Sequence, residues 1–157
     1  MLLVDLIGAW PGAAWVRANW IAYLFVNAAH ILSIGLLVGS ILPLDLKLLG
    51  AFRLAPIAAI APFLVRVGAF GAVAAIGTGF WLFSVKPAEY IENTALLAKI
   101  ALLASALINA ALQHAQPNFH AAASGAAPVA LRTRLHAGLS LILWLGVLLA
   151  GRWIGFL

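Results

Sequence analysis

The sequence predicts an all-α integral membrane protein: a four-helix bundle preceded by a short N-terminal segment lying in the membrane interface. Three observations predict it. Hydrophobic residues make up 66% of the 157 and charged residues only 8%, whereas soluble domains carry roughly 25% charged residues. Four separate stretches stay apolar over the about 20 residues that a spanning helix needs. Five of the six tryptophans fall on one side of the membrane when the chain crosses four times, as an aromatic belt requires. A mean hydropathy of +1.12 leaves too much apolar surface for a water-soluble fold of this size to bury, so lipid is the solvent.

Residues 1–15 carry no basic group, hold an acid at Asp5 and break at Pro11-Gly12. That pattern is unlike a signal peptide. Leu2, Leu3, Leu6, Ile7 and Trp10 would form one apolar face of a short helix lying in the interface. The first span is expected over 20–42. Pro43, Asp45 and Lys47 follow it, and Gly50 would end an extension beyond the bilayer. The second span is expected over 57–85, stopping before Pro87. Asn93 and Thr94 are N-cap candidates for a third span over 95–114, which stops before Pro117. Residues 116–133, rich in Ala, Pro, Ser and Gly, read as a flexible loop. The fourth span is expected over 135–156. The whole chain, 1–157, is one transmembrane domain, with no internal repeat and no separate soluble unit.

Four spans put both termini on one side. Trp10, Trp15 and Trp20 precede span one, Trp81 ends span two and Trp153 ends span four, while Trp144 sits deep. The side of the first and third loops carries Lys47, Arg53, Arg66, Arg132 and Arg134. The other side carries Arg17, Lys86, Lys99 and Arg152. The positive-inside rule then leans towards loops one and three in the cytoplasm of a bacterial inner membrane. The net charge of +5 comes from bases scattered at helix ends, which marks interfaces and excludes a nucleic-acid patch. The chain has no cysteine, which removes disulfides, thiolate metal sites and covalently attached haem.

Small residues recur in the spans. Gly35 and Gly39 form a GxxxG match, and span two carries Gly68, Gly71, Gly77 and Gly79. Such residues let helix backbones approach in lipid. Close packing within the bundle is the expected use, and a dimer seam is the alternative.

Polar groups inside a membrane are costly and therefore candidates for function. Asn19, Tyr23, Asn27, His30 and Ser33 recur at three-to-four spacing and share one face of span one. His30, near mid-span, either hydrogen-bonds a neighbouring helix, with Ser105 or Asn109 as candidate partners, or binds a ligand. His114 ends span three and His136 begins span four, at matching depth. Two imidazoles so placed could ligate a haem b, or simply lie solvated by headgroups. His120, in the loop, reads as exposed. Arg66 lies about two turns inside span two, with Asp45 as its natural partner. With Arg53 and Arg132 it could also hold haem propionates or lipid phosphates. Lys99 is placed to snorkel towards Glu89 and Glu92. Ser105, Asn109 and Gln113 form a second polar stripe, suited to joining helices.

Other chemistries are missing. The acids are Asp5, Asp45, Glu89 and Glu92 alone, so no nucleophile–base–acid constellation assembles and no catalytic residue is assigned. One Met, the initiator, and no Cys leave no copper(I) conduit.

Several of these pieces occur together elsewhere. His30, then Gly35 and Gly39, then Leu44-Asp45-Leu46-Lys47-Leu48-Leu49-Gly50 make one block. Lys99, Leu102, Leu103, Asn109 and His114 make a second. Ser140, Trp144, Gly146 and the closing Gly151-Arg152-Trp153-Ile154 make a third. From about Ala18 onward the chain resembles the DUF6644 type of bacterial four-helix membrane proteins. It is more distantly similar to the copper-resistance protein D domain and to the HemJ-type protoporphyrinogen oxidases. Those pair a histidine early in the first core helix with a lysine on a later one, and the HemJ type is associated with haem b. That likeness implies His30 and Lys99 as the pair to watch.

Three readings follow. The first is a haem-b subunit that passes electrons between quinone and a partner enzyme, or anchors that partner, with His30, His114 and His136 as candidate iron ligands and Arg66 for the propionates. The second is a cofactor-free structural or assembly subunit. Either would sit in the bilayer against other membrane or periplasmic subunits, or against a second copy. The third, a small-solute or metal transporter, fits less well, because four short spans show no pair of broken helices.

Overall fold

The computed structural model describes residues 2–51 and 56–156, with side chains from residue 4 onward. These residues form α1 (Leu2–Ala9), α2 (Pro11–Ala18), α3 (Trp20–Leu49), α4 (Ile57–Val85), α5 (Pro87–Ile91), α6 (Thr94–His114), α7 (Pro117–Ala123) and α8 (Leu131–Trp153), closed by a 3-10 turn over Ile154–Phe156. The helices α3, α4 and α6, and α8 with its closing turn, are long and apolar enough to cross a membrane. The chain is an all-α, four-helix, multi-pass membrane protein, as expected. Its apolar side chains point outward as well as inward: Phe25, Ile31, Leu32, Phe63, Phe70, Val73 and Ile142 are all exposed, which suits a surface solvated by acyl chains.

The helix ends follow local chemistry. The Asn19 side chain accepts from the amides of Ile21 and Ala22 and starts α3. The Asn93 side chain accepts from the amide of Leu96 and starts α6, so of the two candidates Asn93 is the cap. α3 runs past the expected end at residue 42, through Pro43, to Leu49. Proline costs the helix one hydrogen bond to the carbonyl four residues back, but Leu44 and Leu48 are buried beyond it and hold the last turns in place. The helix then ends in a Schellman motif: Gly50 adopts φ 93°, its amide donates to the Lys47 carbonyl, and the Ala51 amide donates to Leu46. Thirty residues give α3 a length of about 45 Å, against a hydrocarbon core of about 30 Å. It therefore tilts or projects.

Residues 116–133 are not an open loop. Gln116 precedes Pro117 at the first position of α7, where proline's missing amide is no loss. Phe119 and Ala122, one turn apart, are buried. Phe119 packs with Leu44, Leu48, Ala61 and Ala137. Composition alone hides this, because one phenylalanine among alanines is enough to dock a two-turn helix. α8 also starts four residues before its expected position, at Leu131.

Two antiparallel pairs, α3 with α4 and α6 with α8, meet where α3 packs on α8. Three apolar clusters are stacked along the bundle. Val16, Ala22, Val26 and Val85 lie at the terminal end. Leu37, Ala106 and Trp144 occupy the middle. The Phe119 cluster closes the loop end. The N-terminal helices cap the terminal face: the Trp10 indole donates to Ser84 Oγ at 2.9 Å, the Trp81 indole donates to the Gly12 carbonyl at 3.0 Å, and Arg17 reaches the Val85 and Gly8 carbonyls. Trp10 and Trp15 both stack on Trp81. Leu6 is exposed and Ile7 partly buried; the Leu2 and Leu3 side chains, expected on the same face, lie outside those described.

Candidate functional site: two polar centres in the bundle

Glycine positions show where the helices touch. A Cβ on Gly71 would lie 2.6 Å from the Leu37 amide nitrogen, and one on Gly79 would lie 2.9 Å from the His30 ring. Gly68 faces Ser40 more loosely. Span two therefore uses Gly68, Gly71 and Gly79 against α3, as expected of small residues in lipid, whereas a Cβ on Gly77 would meet nothing within 4 Å. Gly35 and Gly39 do not follow suit: a Cβ on either meets nothing within 4 Å. The GxxxG face points out of the bundle.

His30 lies in the terminal half of the bundle. Its partner is neither Ser105, which bonds the carbonyl of Ala101 on its own helix, nor Asn109. It is Thr78 on α4, with Nδ1 2.9 Å from Oγ1. The Thr78 hydroxyl donates its one proton to the Ala74 carbonyl at 2.6 Å. Oγ1 must then accept, so Nδ1 carries the ring proton and Nε2 keeps its lone pair. Gly79 makes room for the ring. The sequence offered a signal for this in Thr78-Gly79, a hydroxyl beside a notch. Lys99 acts electrostatically on His30 from α6, and its ammonium lies against Gly151 of α8. Lys99 forms no ion pair with Glu89 or Glu92 among the described residues; Glu89 instead pairs with Lys86 at 3.0 Å. The rest of the expected polar stripe is divided: Asn19 caps, Ser33 bonds the Ala29 carbonyl, and Tyr23 bonds Tyr90 of α5, whose phenol is pushed up by burial.

The second centre lies in the loop half. His136 Nδ1 sits 2.7 Å from Asn109 Oδ1, and Asn109 Nδ2 donates to the His136 carbonyl at 3.0 Å. This two-point clasp sets the register of α6 on α8. It also leaves His136 Nε2 with a lone pair. His114 bonds the Ala110 carbonyl of its own helix and stacks on Phe119 at 4.6 Å. It is exposed. It follows Asn109 by five residues, which at 3.6 residues per turn puts it about 140° around α6 from the face that meets His136. No hydrogen bond or ring contact among the described residues joins His114 to His136. His120 Nε2 donates to the His114 carbonyl at 2.7 Å and is exposed.

Asp45 does not pair with Arg66. It is 3% exposed and hydrogen-bonded to Ser140 of α8, while Arg66 is exposed. Arg66 also stands twelve residues from Thr78 on α4, about 18 Å at 1.5 Å per residue, too far to serve a group held by His30. Arg132 is exposed, and Arg53 lies outside the described residues. Among the described residues five buried side-chain polar atoms lack a partner: Asp45 Oδ2, Thr133 Oγ1, Gln113 Nε2, Gln116 Oε1 and Trp144 Nε1.

A haem b needs an imidazole lone pair, an apolar setting and a cation for its propionates. The His30 centre offers a half-buried imidazole and, on α6, Lys99 as a cation that acts on it. The His114 and His136 pair supplies two lone pairs on faces that do not converge. Among the described residues no group of three or more His, Cys, Asp or Glu is placed to hold a bare metal ion. No family model, curated protein or solved structure matches this chain.

Proposed function

We propose that the protein is a multi-pass subunit of a bacterial inner membrane that holds one b-type haem through His30 and passes electrons between quinone and a partner protein. One observation carries the reading: Thr78 holds the half-buried His30 ring through Nδ1, which leaves the lone pair on Nε2. Fixing one ring nitrogen to orient the other is how proteins prepare a histidine ligand. The distant likeness that pairs His30 with Lys99 supports the same centre. Haem bound there would supply one-electron chemistry. His30 would hold the group, Thr78 would set the orientation of its ring, and Lys99 would offer positive charge to a propionate.

The test is the absorption spectrum of the dithionite-reduced protein, expressed with ample haem and its native partners. The expected result is a b-type spectrum that survives alanine replacement of His114 or His136 and disappears in His30→Ala. A colourless protein, or full haem retention in His30→Ala, would reject the reading.

The outward-facing Gly35 and Gly39 favour a second reading, a cofactor-free subunit that packs this face on another helix. In that case Gly39→Leu releases the partner in mild detergent, and the protein is colourless throughout.

A further inference from the structure

The loop half of the bundle holds a carboxyl that the haem reading does not use. Asp45 is 3% exposed, its Oδ2 has no hydrogen-bond partner, and the Ser140 hydroxyl of α8 is its polar neighbour. Nothing charged pairs with it among the described residues. Arg66 on α4, His114 on α6, His120 on α7, and Arg132 and Arg134 on α8 are all exposed. Lys47 stands two residues along α3, about 200° around the helix, and has an interaction of its own. An unpaired acid in a membrane bundle is expensive to keep, and such acids commonly serve in proton relays.

The surroundings of Asp45 continue the pattern. On α8, Thr133, His136 and Ser140 follow one another at spacings of three and four, so they line one face. Thr133 and Ser140 are 0% and 4% exposed. α6 opposes this face. Asn109 clasps His136, and in an antiparallel pair the next turn of α6 meets the preceding turn of α8. Gln113 therefore faces Thr133. Gln113 Nε2 and Thr133 Oγ1 are both buried and unpartnered, as is Gln116 Oε1 at the same end. Thr133, His136 and Ser140 thus stand in order along one face of α8, from the loop end to the turn beside Asp45, over about 10 Å of the helix. Thr133 at one end and Asp45 beside the other carry unsatisfied atoms.

We infer that Asp45 is a proton-binding site, fed from the loop face along Thr133, His136 and Ser140. The proton comes from water at that face. It passes along the hydroxyls and the ring and ends on a carboxylate oxygen of Asp45, giving the neutral acid and a net uptake of one proton. A calcium or magnesium ion would ask for six or more oxygen ligands, and one carboxyl with one hydroxyl supplies too few. A proton needs only the carboxyl. The inference is independent of the haem: it concerns the opposite half of the bundle and is measured without the reduced spectrum.

The test is infrared difference spectroscopy of the intact protein in lipid nanodiscs, between acid and alkaline buffers and on transfer to D2O. The expected result is a carboxyl band that titrates, vanishes in Asp45→Asn and shifts in Ser140→Ala. Its deuterium exchange slows at least tenfold in Thr133→Val. A titrating band unchanged in Asp45→Asn overturns the site, and unchanged exchange in Thr133→Val overturns the route. Should Asp45→Asn not fold, labelling of the wild-type chain with dicyclohexylcarbodiimide, read by peptide mass, takes its place. Labelling at Asp45 in preference to the exposed Asp5, Glu89 and Glu92 supports the site, and its absence refutes it.

Discussion

Gly71→Ala is the sharpest test of how α3 and α4 are held together. The new Cβ would lie 2.6 Å from the Leu37 nitrogen, 3.0 Å from Leu37 Cα and 3.0 Å from the Ser33 carbonyl oxygen. All three are backbone atoms of α3, so no side chain can turn aside. The helices must separate until 2.6 Å becomes the 3.4 Å at which ordinary contact begins, and the Ser33 and Leu37 turns lose their fit on α4. Overpacking of this kind costs about 1–3 kcal/mol. Alanine recovers part of it, because it is better than glycine inside a helix by roughly 0.5–1 kcal/mol. Gly35→Ala has the same intrinsic gain and meets nothing within 4 Å, so it isolates the steric cost. The expected difference between the two variants is therefore about 1–3 kcal/mol, with Gly71→Ala the less stable. Reversible unfolding in mixed micelles with rising sodium dodecyl sulfate, followed by helical circular dichroism, measures it. Equal stability of the two variants would refute the packing argument.

Three further outcomes are expected. Phe119→Ala should release α7, costing about 3 kcal/mol by analogy with other buried Phe→Ala changes, and amide exchange over Pro117–Ala123 should rise to that of an open loop; unchanged protection would show that α7 holds without its anchor. Asn109→Leu removes both bonds to His136 and should cost about 1–2 kcal/mol, since interhelical hydrogen bonds in bilayers average only about 0.6 kcal/mol each; a neutral result would mean that apolar packing alone sets the α6–α8 register. Reporter fusions at Gly125 and after Phe156 should read opposite compartments, and a shared compartment would overturn the four-span topology.

Much of this protein was legible in the sequence, because lipid imposes few rules and strict ones. A backbone in hydrocarbon must bond to itself, so four apolar stretches mean four helices. Asn93 at the start of α6 and Gly50 at the end of α3 are equally local, since a cap satisfies amides or carbonyls within its own turn. α7 escaped because its evidence is a single buried side chain in a small-residue segment.

What joins to what belonged to the tertiary structure. His30 was visible as an imidazole within a span, but its partner, Thr78, came from the rotation of α4 that Gly71 and Gly79 permit. Asp45 stood beside Arg66 as an obvious ion pair on paper, yet the two helices present these side chains on different faces, and Asp45 meets Ser140 instead. His114 and His136 match in depth, which follows from counting residues. His114 stands about 140° around α6 from the face that meets His136, and that face is identified only by the clasp of Asn109 on His136. Depth along the membrane is a one-dimensional quantity and can be read from a chain. Azimuth around each helix axis depends on which neighbours pack against it, and only the assembled bundle decides that.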